Sequence, residues 1–166
     1  MPALPIVRYP DPRLNTMAAP VEVFNASLRA LAADLADTMR EAPAIGITAP
    51  HVGVLQRLVL LRLTPEETPH AYVNPSIVWA SDERLRHTEG SVSLPGVTEE
   101  VERHARVRIS YRDLDGNEQT EDADGFRAVC HQHEIDQLDG VFWIQRLSRL
   151  KRDRLLKRYA RVARTS

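Results

Sequence analysis

The segment Ala128-Val129-Cys130-His131-Gln132-His133-Glu134-Ile135-Asp136-Gln137-Leu138-Asp139-Gly140 decides how the rest of the chain is read. At helical spacing His133 and Gln137 stand four residues apart and share a face, with Glu134 on its flank. This is the layout of a His-Glu-x-x-His pair, in which two imidazoles hold a metal and the glutamate moves protons. In this chain Gln137 occupies the place of the second imidazole. Gly140 is the expected C-cap of the helix.

Working outward, the 166 residues are most simply one domain, 1–166, long enough to bury a core without staples. A net charge of -1 offers no whole-protein field for nucleic acid or an acidic substrate, so no DNA partner is expected. The single cysteine, Cys130, excludes an intrachain disulfide framework and fits a reducing compartment. No basic n-region and apolar h-region open the chain, and no apolar run approaches the roughly 20 residues of a membrane span. A cytoplasmic protein without a membrane partner is the expectation.

Residues 1–20 carry Pro2, Pro5, Pro10, Pro12 and Pro20 and should form an extended arm over the body. Leu28, Leu31, Leu35 and Met39 recur at spacings of three and four. They predict an amphipathic helix between Asn25 and Arg40, capped by Asn25 or Ser27 and stopped by Pro43. The run Leu58–Leu63 reads as a buried strand. Ala71–Val73 and Ile77–Ala80 read as two short strands around Asn74-Pro75. Glu89–Gly96, with two glycines and a proline, reads as a constrained loop. Val107, Ile109 and Tyr111 alternate with polar residues in a half-exposed strand, and Asp115-Gly116 is a hairpin turn. Asn117–Asp124 reads as a polar connection into the central helix. The segment 148–166 is a basic C-terminal helix with Leu150, Leu155, Tyr159 and Val162 along one side. Between Arg149 and Arg164 it carries eight basic residues against Asp153 alone. Helix, strands, helix and helix in that order make the fold class α+β.

Three blocks together resemble one family. Gly46-Ile47-Thr48-Ala49-Pro50-His51 is similar to the first motif of the peptide deformylases, Gly-x-Gly-(apolar)-Ala-Ala-Pro-Gln. Glu89-Gly90-Ser91-Val92-Ser93 resembles their second, Glu-Gly-Cys-(apolar)-Ser, and Gln132–Gln137 their third, Gln-His-Glu-(apolar)-Asp-His. Order and separation also match, from about Arg8 to about Arg161. The resemblance implies antiparallel strands packed around a central helix that carries the third motif. It implies removal of the formyl group from the N-terminal formylmethionine of new bacterial or organellar polypeptides. The family's cofactor is a divalent metal, natively iron(II), with zinc, nickel or cobalt as substitutes. Its ligands are the cysteine of the second motif and the two histidines of the third.

Carried over residue by residue, the ligand positions are Ser91, His133 and Gln137, two of them substituted. Glu134 keeps the place of the proton-handling glutamate. The oxyanion glutamine falls on His51, and the backbone N–H of Val92 takes the place of the second oxyanion donor. Ile45, Gly46, Phe126, Val129 and Cys130 fall where the family lines its methionine pocket.

The substitutions bear on chemistry. A thiolate is a soft, anionic ligand, whereas a serine hydroxyl is neutral at pH 7. A glutamine offers only an amide oxygen, suited to harder cations. His133 alone would not hold the pKa of a bound water at about 7, so weak or absent metal binding and deformylation are expected. Two alternatives are an amide hydrolase with a rearranged His51/His133 metal site and a non-catalytic binder of the ribosome or of peptide N-termini. His51 is otherwise a hydrogen-bonding stand-in for glutamine. His131 is expected to be a surface histidine and Cys130 a small apolar core residue. A serine nucleophile at Ser91 would need a group orienting His133, and the sequence offers none beyond Glu134. Expected partners are a formylmethionyl or N-terminal methionine peptide and, through 148–166, the ribosome.

Overall fold

The computed structural model describes residues 3–165. Met1 and Pro2 of the expected arm and Ser166 of the expected C-terminal helix lie outside them. Helix α2 (Gly125–Leu138) is the central element. Nine of its fourteen residues are buried, including His131, Gln132, Glu134 and Gln137. A helix enclosed on several sides must satisfy its polar side chains inside the protein. Gln132 does so by bonding both the N–H and the C=O of His104, at 2.9 Å each.

Strands β1 (Gly46–Thr48), β2 (Leu58–Leu61), β3 (His70–Ala80), β6 (Arg106–Arg112) and β7 (Glu118–Asp124) form one antiparallel sheet in the order β1-β2-β3-β6-β7. Strands β4 (Arg84–Ser91) and β5 (Leu94–His104) form a second, two-stranded sheet. In β2 alternate side chains point to opposite faces. Val59 and Leu61 join the core with Tyr72, Ile109, Ile135 and Leu138, while Leu58 and Leu60 pack with Leu28, Leu35 and Met39. Burial on both faces explains why this strand is an unbroken apolar run. The residues facing the other way belong to helix α1 (Ala26–Glu41), whose N-cap is Asn25, its side chain accepting from Leu28 N–H at 3.2 Å.

Three expectations are corrected. Ala71–Val73 and Ile77–Ala80 are parts of one eleven-residue strand, β3, which bends at Asn74 (φ 50°) and shifts register beyond it. The polar stretch before α2 is strand β7, in register with β6 from Arg112↔Glu118 to Arg106↔Asp124. It is an edge strand whose only buried residue is Ala123, and charged side chains are usual on such an edge. The loop expected at Glu89–Gly96 is the end of β4, a tight turn paired Ser91↔Leu94, and the start of β5.

Helix α3 (Arg149–Thr165) packs on β5 through Leu155, buried with Leu94, Val97, Val101 and Trp143. Leu150 lies off that contact, at 60% exposed. Arg154, Lys157 and Arg164 are exposed. No helix among the described residues is long and apolar enough to cross a membrane.

Residues 3–20 lie extended except for a turn at Tyr9-Pro10, where Asp11 N–H donates to Arg8 O at 3.0 Å, and a 3-10 turn at Pro12–Asn15. Val7 N–H donates to His51 O (2.7 Å), Tyr9 N–H to Ser93 O (2.8 Å) and Ala18 N–H to Leu138 O (2.8 Å). Past Pro20, Asn74 holds the chain with both ends of its amide: Oδ1 accepts from Val21 N–H (2.8 Å) and Nδ2 donates to Val21 O (2.9 Å). Asparagine also tolerates the left-handed φ at the bend. Asn74→Ala should therefore destabilise the protein by about 1–3 kcal/mol in urea unfolding. It should also speed proteolysis near Val21, and an unchanged cleavage rate would contradict this anchoring role.

Candidate functional site

A cavity of about 400 Å³ opens between β1, the β4–β5 turn and α2. Ten of the eleven residues singled out from the sequence line it. Ile45, Gly46 and His51 come from the first segment, and Ser91 and Val92 from the turn. Phe126, Val129, Cys130, His133 and Glu134 come from α2, spaced at three and four residues along one face. Gln137 is not among the lining residues; its Nε2 donates to Leu14 O at 2.8 Å. Ser91 lines the cavity, and its Oγ accepts from Ser93 N–H at 3.1 Å within the turn.

His133 is oriented from behind. Its Nδ1 donates to Glu89 Oε1 at 2.7 Å, which leaves Nε2 free of that bond. Glu89 is gripped by Arg103, Nε to Oε2 at 2.7 Å and a terminal nitrogen to Oε1 at 2.8 Å. Arg103 reaches on to Asp136 Oδ2 at 2.6 Å, and Asp136 is held in turn by two bonds from Arg146, at 2.9 and 2.7 Å. Burial opposes charge on Glu89, but Arg103 and His133 outweigh it and hold its carboxyl down at about 2. Burial likewise opposes a proton on His133, but the Glu134 and Glu89 carboxylates reverse the balance and raise its pKa. The orienting group absent from the sequence reading is thus Glu89, fixed by Arg103. One signal for it was available. Val101, Arg103 and Ala105 alternate along and beyond β5, so Arg103 is a charged residue at an inward position.

Glu134 is buried against Gly46. A Cβ at residue 46 would lie 2.3 Å from Glu134 Oε2, so only glycine leaves room for this carboxyl group. Glu134 Oε1 is buried without a hydrogen-bond partner, and burial raises the pKa of the group. His51 sits in a reciprocal bond with Thr48: Thr48 N–H donates to Nδ1 at 2.9 Å, and His51 N–H to Thr48 Oγ1 at 3.3 Å. Because Nδ1 accepts, the ring proton sits on Nε2. That Nε2–H is a buried donor without a partner. Burial, with His133 adding to it, lowers the His51 pKa to about 3, so the ring is neutral near pH 7. The Cys130 thiol is pushed up to about 12 by burial and by the Glu134 and Glu89 charges, and is a neutral part of the wall.

His131 is corrected: it is buried, not superficial. It does point away from the cavity, but into a second polar cluster, where its Nε2 meets Glu121 Oε2 at 2.5 Å. Tyr72 OH and Arg127 also donate to Glu121, at 2.6 and 2.8 Å.

Among the described residues no group of three or more His, Cys, Asp or Glu side chains that could hold a metal ion is present. The donors at the positions named above are one imidazole nitrogen, one hydroxyl and one amide turned to a backbone carbonyl. With a proton on Nε2 and Nδ1 occupied, neutral His51 has no lone pair left for a metal.

The family model described as polypeptide deformylase matches residues 3–153. A Brucella suis protein named peptide deformylase-like is 65% identical over 159 residues, spanning 96% of this chain and 97% of its own. A second Brucella suis protein, named peptide deformylase, is 44% identical over 166 residues, spanning 98% and 95%. The crystal structure of a peptide deformylase from Legionella pneumophila superposes with a TM-score of 0.93 at 34% identity, covering 98% of this chain and 96% of that one.

Two outcomes follow from the geometry. Arg103→Met leaves buried Glu89 with His133 as its remaining partner and Asp136 with Arg146, and should cost about 3–5 kcal/mol in urea unfolding. A loss below about 1 kcal/mol would place the ion chain among those that contribute little. The second concerns acid. The folded His51 pKa, about 3, lies below the unfolded value of about 6.5. The stability tied to its neutral form is complete above pH 6.5 and declines as pH falls, because the unfolded chain binds a proton that the native one refuses. Between pH 6.5 and 5, His51→Gln should flatten the stability-against-pH slope by up to one proton; parallel curves for the two proteins would rule this out.

Proposed function

The chain belongs to the polypeptide deformylase family, and we propose that it keeps a cavity for the methionine end of a peptide while deformylating weakly or not at all. The observation that carries this reading is what occupies the substituted ligand positions. Ser91 Oγ is engaged by Ser93 N–H, and the Gln137 amide is spent on Leu14 O. A hydroxyl and an amide do not replace a thiolate and an imidazole for iron, nickel or zinc, and a catalytic site of that kind rests on three protein ligands. The donor set does not fit the family's metal, and His133 is left without a ligating partner.

What remains suits binding. Phe126, Val129, Cys130 and Ile45 offer apolar wall to a methionine side chain. His51 Nε2–H and the Val92 N–H are donors for a peptide carbonyl, and Glu134 holds or releases a proton beside them. The comparison supports a separate role. Brucella suis has relatives of both names, and this chain is nearer the deformylase-like one, at 65% against 44% identity. A cytoplasmic setting and contact of 148–166 with the ribosome belong to the same proposal. The exposed cations of α3 support the contact by attraction to phosphate.

Gln137 also indicates how the site was altered. A ligating histidine normally donates its second N–H to a carbonyl or carboxylate. Gln137 donates to Leu14 O in that manner but lacks a ring nitrogen to present on the other side. Gln137→His should therefore keep the Leu14 contact. The test is metal content of the purified protein together with turnover of a formylmethionyl peptide. The unaltered protein should hold well under one equivalent of iron, nickel or zinc. Its turnover should be about 100-fold or more below that of a full-ligand family member, since outer-shell losses alone cost 10–100-fold. Ser91→Cys with Gln137→His should gain both metal and turnover. Stoichiometric metal with full turnover in the unaltered protein would sink the proposal, and loss of that metal on His51→Ala would instead support the rearranged site.

A further inference from the structure

Strand β3 is longer than its neighbour β2. The two pair only from Leu58↔Val73 to Leu61↔His70, and Asn74 N–H adds one bond, to Arg57 O at 2.9 Å. From Ser76 to Ala80 the strand pairs with β6 on one side alone. Among the described residues no backbone bond reaches this stretch from the other side. An unpaired edge presents N–H and C=O groups ready for another strand, and chains guard such edges with charge. β7, an outer edge of the same sheet, carries Glu118, Glu121, Asp122 and Asp124 within seven residues. The free stretch of β3, Ser76-Ile77-Val78-Trp79-Ala80, carries no charge at all.

Its central side chains are large, apolar and exposed: Ile77 by 38%, Val78 by 57% and Trp79 by 50%. Residues directly opposite across a ladder share a face. Ile77 stands opposite Ile109, on the face that packs α2, and Trp79 stands opposite Arg108, on the outer face. The register shifts between them, so Val78 is opposite no residue of β6. Apolar surface therefore flanks the open backbone on both faces of the sheet. The cations of β6 beside it are already neutralised. Arg108 Nε donates to Asp122 Oδ1 at 2.7 Å, and Arg106 donates to Glu83 at 3.3 Å. Exposed apolar residues scattered singly are ordinary, whereas three in succession on an open edge mark a docking surface.

We propose that this stretch of β3 pairs antiparallel with the same stretch of a second copy of the chain. The surface is complementary to itself on three counts. An antiparallel strand paired with its own copy obeys a two-fold axis, so open N–H groups meet open C=O groups. Apolar side chains meet apolar side chains. The stretch is uncharged and its flanking cations are paired, so no like charges are brought together. The other side of β3 is taken by β6, so pairing through this edge closes at two copies. The joined sheet runs β7-β6-β3 in one copy and continues β3-β6-β7 in the second. The apolar patch amounts to a few hundred Å², short of the roughly 800 Å² per partner of a standard interface. The dimer is accordingly a weak one, with a Kd on the order of 10 μM. None of Ser76–Ala80 lines the cavity, so the pairing is independent of what that cavity binds.

The test is sedimentation velocity of the full-length protein from about 1 to 300 μM, a range that spans the expected Kd. The unaltered protein should pass from monomer to dimer across it. Val78→Lys and Trp79→Lys should each weaken association at least about tenfold, because a lysine on an edge opposes pairing. Leu150→Lys, at the exposed apolar residue of α3, should leave it unchanged. A second measurement needs no variant and decides the matter if either one fails to fold. Trp143, the other tryptophan, is buried, so a blue shift of emission with rising concentration reports Trp79. Hydrogen exchange at the amides of residues 76–80 should slow over the same range. A protein that stays monomeric throughout overturns the proposal and leaves the edge to an unrelated strand. A dimer of undiminished strength in both lysine variants overturns it by placing the interface elsewhere, and assembly beyond two copies overturns the closure.

Discussion

A helix carrying His131, Gln132, His133, Glu134, Asp136 and Gln137 lies in the middle of this protein, and its burial is the constraint to which the rest of the structure answers. Buried polar groups cost free energy unless they are paired. Several of the helix's neighbours supply partners. β5 contributes Arg103 and the backbone of His104, β4 contributes Glu89, β7 contributes Glu121, and the N-terminal arm contributes the Leu14 carbonyl. The apolar cores on either side of the sheet supply the burial free energy. The polar pairings determine which way the helix is rotated within it.

That rotation makes the cavity. With Glu89 bonded to His133 and Glu121 bonded to His131, two histidines two residues apart are held on opposite sides of α2. Only the face spaced 126, 129, 130, 133 and 134 opens onto the cavity. Gly46 then sets how near β1 can approach, because the Glu134 carboxyl fills the space of a side chain at that position. The one strongly charged carboxylate behind His133 is fully paired, while the one in front of it is not.

The two substituted positions differ in what they retain. Gln137 keeps a contact with the protein on the side away from the cavity and loses what an imidazole would present toward it. Ser91 closes the tight β4–β5 turn through its oxygen and stays at the cavity wall. Both are compatible with an undistorted scaffold, in keeping with a TM-score of 0.93 at only 34% identity to a deformylase structure. Shape here depends on apolar burial and on the outer hydrogen bonds, neither of which requires the inner sulfur or nitrogen.

Much of this was legible in the chain alone, where periodicity and local chemistry are strong. The spacing of Leu28, Leu35 and Met39 marked α1, the run at Leu58 marked β2, and the three motif blocks marked the family and the cavity residues. Local pattern failed at β7, because an edge strand has one buried residue and looks like a loop. It failed at His131, because a helix buried on several sides has no surface on which to place a polar residue. The partners of His133, Glu89 and behind it Arg103, were decided only in three dimensions. Spacing along a chain specifies which side chains share a face, whereas pairing across 14 or 44 residues depends on how separate elements come together to bury charge.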